Sequence, residues 1–187
     1  MSAWPAMGLL WVAWVVSWFV ASFWTNRTAS RPGMGREWGY RLVTAAGVIA
    51  LLMSGRHLGR PSVPAFVIWA LVFAEFCGFA FAWWARLHLG RLWSSSVTRK
   101  DDHRVVDTGP YAIVRHPIYT GLLVAVFAVA VAEGRIGAFA GAGLMTLGFW
   151  MKARLEENFL RGELGAEAYD AYRRRVPMLL PFGPKSA

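Results

Sequence analysis

The chain has 187 residues, 56% of them hydrophobic and eleven of them Trp, with a formal net charge of +9. That length suits one domain, and that composition suits a membrane protein, because indoles favour the membrane–water interface. The positive charge does not form a nucleic-acid surface: the longest basic run is Arg173-Arg174-Arg175, and the remaining basic residues flank apolar segments.

The first apolar stretch runs from about Met7 to Trp24 without a charge, and no basic segment precedes it. It reads as a retained first span and not as a cleaved signal peptide. The second, Leu42 to Ser54, reaches spanning length if the helix starts near Trp38 and Arg41 snorkels to the interface. The third, Pro64 to Ala85, contains Glu75 and Cys77. A lone cysteine excludes an intrachain disulfide and a cysteine zinc site, and Cys77 reads as a small core side chain. Glu75 is either a functional intramembrane acid or a protonated acid hydrogen-bonded between helices.

The fourth and fifth stretches, Ile118 to Ala132 and Ile136 to Met151, are joined by Glu133-Gly134-Arg135. As a helix the fourth is only about 22 Å long, so the pair either spans fully or forms a tight hairpin. Gly137 and Gly141, one turn apart, allow a neighbouring helix to approach closely. Gly165 then breaks the helix, and Ala166 to Arg175 resume it as an amphipathic helix with Tyr169 and Tyr172 at i,i+3, ended by Pro177 and Pro181. Such a helix lies on the bilayer and can roof a site.

Lys and Arg divide between alternate segments as 17 against 3. This places the N-terminus outside, and the long third loop and the tail in the cytoplasm. The expected fold is therefore an all-α integral membrane protein of about five transmembrane helices plus a cytoplasmic C-terminal amphipathic helix. It forms one membrane domain over 1–187, with three N-terminal spans in 1–85 and the loop, hairpin and tail in 86–187. Seventeen of the 20 basic residues are Arg, a bias of GC-rich bacterial genomes. The expected location is the bacterial inner (cytoplasmic) membrane.

Two polar blocks then meet the membrane on the cytoplasmic side. Asp107-Thr108-Gly109-Pro110 is a turn, followed by Tyr111 and then by Arg115-His116-Pro117. Pro117 suits the first turn of a helix, so His116 falls at a helix N-terminus, a place that binds anions such as a carboxylate. Tyr119 and Gly121 follow on the first turns, with Gly121 leaving room for a flat group. Considered alone, Glu156-Glu157 beside Lys152, Arg154 and Arg161 reads as a solvated helix surface. Placed opposite Arg115 and His116, the pair could hold a cationic group, and the two ends together suit an α-amino-acid zwitterion. One acid should face the site and its neighbour outward, with Glu157 favoured for the site. His57, His88, His103 and His116 have no metal-ligand spacing, so no metal is expected. No dinucleotide-binding, phosphate-loop or nucleophile-elbow motif is present.

Taken together, Leu89-Gly90-Arg91, Val106-x-x-Gly109-Pro110-Tyr111, Arg115-His116-Pro117-x-Tyr119-x-Gly121, Glu156-Glu157, Tyr169-x-x-Tyr172 and Val176-Pro177 resemble the isoprenylcysteine carboxyl methyltransferase-like membrane methyltransferases. The resemblance covers roughly residues 86 to 182. It implies an all-helical membrane enzyme that binds S-adenosylmethionine on the cytoplasmic side, with the N-terminal spans varying with the acceptor. His116, Pro117 and Tyr119 would contact the cofactor, with Gly121 allowing close approach. The backbone from Val106 through Gly109 to Tyr111 would line the adenosine. Arg115 and Glu157, or Glu156, would hold the methionine part or position the acceptor. The acceptor itself, a carboxylate, lipid amine or thiol on a lipophilic body, stays open. The competing readings are an NADPH-dependent sterol-reductase-like membrane enzyme and a non-enzymatic membrane protein on the same fold.

Overall fold

A computed structural model describes residues 3–24, 28–30, 34–54, 62–94, 96, 99–100 and 105–185. His57 and His103 lie outside the described residues. Six helices carry the fold: α1 (Trp4–Ala21), α2 (Trp38–Ser54), α3 (Ala65–Leu89), α4 (Pro117–Glu133), α5 (Ile136–Leu164) and α6 (Ala166–Arg175). A short antiparallel pairing of Thr28–Ser30 with Arg99–Lys100 joins the segments that follow α1 and α3.

Local chemistry sets the ends. Pro117 occupies the first turn of α4, where its missing N–H costs nothing. Gly134 takes the left-handed conformation (φ 60°) that turns α4 into α5 within two residues. Gly165, at φ 97°, separates α5 from α6. α2 begins at Trp38 with Arg41 in its first turn, as the snorkelling argument requires. α5 runs past the end of the apolar stretch at Met151 to Leu164, where Gly165 breaks it as expected, so the acid pair lies on this helix.

Among the described residues, three helices are long and apolar enough to cross a membrane: α1, α3 with the turn after it (Ala65–Leu92), and Ile136–Glu163 of α5. α2 and α4 are apolar helices of 17 residues each. The five run in alternating directions. The starts of α1 and α3 meet the end of α4 in a cluster of Ala3, Met7, Ile68, Ala128 and Ala132. At the same end, the Arg135 Nη1 before α5 donates to Ser54 O at the end of α2 (2.8 Å). At the opposite end, Arg86 of α3 donates to Ala21 O and Trp24 O (both 2.8 Å), which caps α1.

Small residues place the helices. Gly121 of α4 lies against the backbone of Gly78 on α3, and a Cβ there would also come within 2.9 Å of Ala82 N. Gly141 of α5 meets Gly47 O and Leu51 N of α2, each 2.7 Å from an added Cβ, and Gly148 lies on Thr44. Backbones this close are the usual result of small residues spaced along apolar helices. The room at Gly121 is thus filled by α3 and not left for a flat ligand. α1 packs mainly through rings: Trp11 and Trp14 lie 4.9 and 5.5 Å from Phe79, and Trp18 lies 5.4 Å from Trp83.

The two residues singled out within α3 fall on different faces. Cys77 is exposed, on the outer face and not in the core. Glu75 is fully enclosed, yet neither carboxyl oxygen has a hydrogen-bond partner. It is not hydrogen-bonded between helices, and it does not line the cavity described next.

Candidate active site

The start of α4, the end of α5 and the tail after α6 meet at Arg115. Its Nε donates to Glu157 Oε1 at 2.7 Å and its Nη2 to Glu157 Oε2 at 3.2 Å, a two-pronged pairing inside the protein. Its Nη1 donates to Arg173 O (3.1 Å) and Val176 O at the end of α6. Neither side chain is exposed beyond 2%. Glu157 also accepts from His116 Nε2 (3.1 Å), and Arg173 Nε stands 3.4 Å from its other oxygen. An ionised carboxylate can only accept, so His116 carries a proton on Nε2.

The tail is tied along the same line. Arg115 N donates to Pro177 O (2.8 Å), His116 N to Met178 O (3.1 Å), and Thr120 Oγ1 to Leu179 O (2.6 Å). Tyr172 donates its hydroxyl to Tyr111 O (2.7 Å). Burial drives the phenols of Tyr111, Tyr169 and Tyr172 above their ordinary range, so all three stay neutral. Tyr169 and Tyr172 pack with Leu160 and Val176, and this apolar contact is what docks α6. At the rim Asp170 accepts from Arg161 (2.8 Å), and Asp107 from Arg175 (2.8 Å).

In front of this knot opens a cavity of about 270 Å³. Val106, Tyr111, Arg115, His116, Pro117, Tyr119 and Glu156 line it, together with Tyr169 and Tyr172 from α6. Trp18, Trp93, Ile118, Leu122 and Phe149 form its apolar wall. Tyr119 sits in a stack of three rings, 5.3 Å from His116 on one side and 5.3 Å from Phe149 on the other. Its hydroxyl donates to Glu156 Oε2 (2.9 Å), and His116 Nδ1 stands 3.9 Å from the same oxygen.

Most of the residues expected from the sequence converge here, with three changes of place. Both acids face inward, so the pair does not divide into one inner and one outer side chain. Glu156 lines the cavity with 32% of its side chain exposed, whereas Glu157 is enclosed behind it. The solvated-surface reading of the pair does not describe them. Arg115 is engaged by Glu157 and two carbonyls, and the Arg115 and His116 N–H groups are engaged by the tail. The expected anion place at the α4 start is therefore largely occupied by the protein itself. Gly109 does not line the cavity. It takes φ 57° above the His88 ring, where a Cβ would come within 2.8 Å, and His88 Nε2 is 2.9 Å from Thr108 Oγ1. Lys152, which no motif marks, also lines the cavity one turn before Glu156. Its i,i+4 spacing to Glu156 is the signal in the sequence, and that spacing equally suits a solvated face.

The sequence profile of the isoprenylcysteine carboxyl methyltransferase family matches residues 67–161, from α3 through the acid pair. Among similar curated proteins, a protein-S-isoprenylcysteine O-methyltransferase of Schizosaccharomyces pombe is 32% identical over 90 residues, 46% of this chain and 36% of that protein. Protein-S-isoprenylcysteine O-methyltransferase B of Arabidopsis thaliana is 33% identical over 87 residues, 46% of this chain and 44% of that protein. The chain thus matches less than half the length of either relative. With the family profile covering α3 to the acid pair of α5, the chain belongs to the isoprenylcysteine carboxyl methyltransferase family.

Proposed function

We propose that the protein is an integral membrane methyltransferase that moves a methyl group from S-adenosylmethionine to a lipophilic acceptor. The observation that carries this reading is Glu156. It is an acid facing an aromatic-lined cavity, set in place by Tyr119 and backed by the Arg115–Glu157–His116 knot. The donor set fits a cationic amino-acid ligand. Glu156 suits an ammonium, the rings of His116 and Tyr111 suit a sulfonium or a nucleobase, and Val106 and Pro117 close the wall. The cavity volume lies near the lower bound of roughly 300 Å³ for small-ligand sites.

In this reading Glu156, and not the Glu157 expected from the sequence, makes the cofactor contact. Glu157 and Arg115 act as positioning residues, holding His116 and the tail in place. S-adenosylmethionine supplies a methyl group already activated on sulfur, so the protein has only to align and dry the site. The α6 tyrosines exclude water, and Tyr119 orients Glu156. The names of the relatives and the apolar wall of Trp18, Trp93, Ile118 and Leu122 support a lipophilic acceptor of the isoprenyl-cysteine type.

The five alternating helices support a single membrane domain of five spans, with α1–α3 as its acceptor half and α4–α6 with the preceding loop as its cofactor half. The 17-to-3 charge division supports an external N-terminus and a cytoplasmic site in a bacterial inner membrane. Calorimetry on the detergent-solubilised chain tests the function. S-adenosylmethionine should bind, and His116→Ala and Tyr119→Ala should each weaken it about tenfold or more. Binding of NADPH, or of neither compound, would replace this reading with that of a reductase or a non-enzymatic protein.

A further inference from the structure

Lys152 has no part in the reading above, yet it lines the same cavity one helical turn before Glu156. Its Nζ lies 5.3 Å from the ring centre of Tyr119 and 5.7 Å from that of Tyr40, so two aromatic rings flank the ammonium. Tyr40 comes from α2 and is buried there because α2 is packed against α5 at Gly47–Gly141 and Thr44–Gly148. Next along α5 on the cavity side is Phe149, and Ile118 and Leu122 of α4 complete the apolar end. A cation is thus fixed between the acidic end of the cavity and its apolar end. An amphiphile with its tail on that apolar end would present its headgroup to Lys152, with Glu156 one turn beyond.

We propose that Lys152 selects the methyl acceptor by charge, binding an anionic nucleophile, a carboxylate on a lipophilic body, and disfavouring amines. The inference rests on the methyltransferase reading. In the transfer, a carboxylate oxygen forms the new O–CH3 bond as the S–CH3 bond of the sulfonium breaks. The bonding pair stays on sulfur, which becomes a neutral thioether, and no proton moves. One negative and one positive charge disappear together, so the ion pair to Lys152 is stronger before transfer than during it. Lys152 therefore contributes to acceptor binding and not to the rate of the chemical step.

The test uses the full chain in detergent, saturated with S-adenosylhomocysteine. N-acetyl-S-farnesylcysteine and its uncharged carboxamide are titrated by calorimetry. The acid should bind about tenfold more tightly than the carboxamide. Lys152→Met should abolish that preference, and Lys152→Arg should keep it. In turnover, Lys152→Met should raise KM for the acid about tenfold without lowering kcat, because the lost ion pair is stronger in the bound acid than in the transition state. Its affinity for S-adenosylmethionine and its thermal unfolding should stay near those of the wild type. A Lys152→Met protein that still prefers the acid overturns the proposal. So does one that loses S-adenosylmethionine affinity, which would place Lys152 on the cofactor. A wild type that binds S-adenosylmethionine but treats acid and carboxamide alike, or binds neither, overturns this inference alone. A wild type that binds no S-adenosylmethionine overturns the methyltransferase reading beneath it.

Discussion

Replacing each acid of the pair by Gln should separate two roles that adjacent residues of one type would otherwise share. Glu157 meets Arg115 through two bonds, His116 through a third, and Arg173 at 3.4 Å, all behind a surface that leaves it 2% exposed. Glu157→Gln keeps the shape and leaves the buried Arg115 charge without a counter-charge. Breaking one side of a buried ion pair costs about 3–5 kcal/mol. Arg115 keeps its bonds to Arg173 O and Val176 O, so the lower end of that range applies. About 3 kcal/mol is roughly a hundredfold in the ratio of docked to undocked tail. The variant should unfold at lower temperature in detergent, and trypsin should cut at Arg173–Arg175 where the wild type resists. Glu156 is 32% exposed with one neutral hydroxyl donor, so Glu156→Gln should cost only about 0.5–1.5 kcal/mol of stability. Its effect should appear as a tenfold or greater loss of S-adenosylmethionine affinity. A Glu157→Gln protein with wild-type melting and protease resistance would refute the assignment of Glu157 as the knot. A Glu156→Gln protein with full affinity would remove Glu156 from the cofactor.

Gly121→Leu should prevent α3 and α4 from meeting, because even a Cβ at Gly121 would fall on Gly78 O, and overpacking typically costs about 1–3 kcal/mol or more. A monodisperse variant with wild-type melting would refute this. Arg86→Met should free the end of α1, since Arg86 caps Ala21 O and Trp24 O and lies 4.5 Å over the Trp93 ring. The check is the Trp fluorescence of the cavity wall, which should shift, together with a fall in melting temperature. In a Cys77-free background, cysteines at Ser2 and Ser186 should label from opposite sides, with Ser186 on the cytoplasmic face. Labelling of Ser186 only from outside would reverse the orientation.

Much of the frame was legible because membrane helices announce themselves by length. α2 could be started at Trp38 from the reach of Arg41 alone, and α6 could be bounded by Gly165 and Pro177. The convergence of the two motif blocks followed from their shared side of the membrane. What could not be read depends on partners that no linear pattern displays. Glu156 and Glu157 are held by residues far away in the sequence, Tyr119 of α4 for the first and Arg115, His116 and Arg173 for the second. Two side chains about 100° apart can both face inward when one helix face meets α4 and the adjacent face meets α6. Glu75 and Cys77, two residues apart in a uniformly apolar helix, point to opposite faces, and nothing in that run marks which face is the inner one. Gly121 illustrates a different limit. A glycine beside a binding motif suggested room for a ligand, whereas the room is taken by the α3 backbone.

The division of labour between the two halves of the chain follows from the same contacts. The family profile starts within α3, yet the cavity includes Trp18 from α1 and a lysine flanked by Tyr40 from α2. Among the described residues, the Arg115–Glu157–His116 knot is built on the two residues before α4, on α5 and on α6 with its tail. A change in α1 or α2 can therefore reshape the apolar end and the Lys152 neighbourhood while the knot keeps its geometry. On the proposed reading, acceptor choice and cofactor binding are separable along the length of α5. Phe149 and Lys152 serve the first, Glu156 serves the second, and Glu157 fixes the helix that carries both. The packing of α2 on α5 at Gly47–Gly141 is then a functional contact as well as a structural one, because it sets how far Tyr40 stands from Lys152.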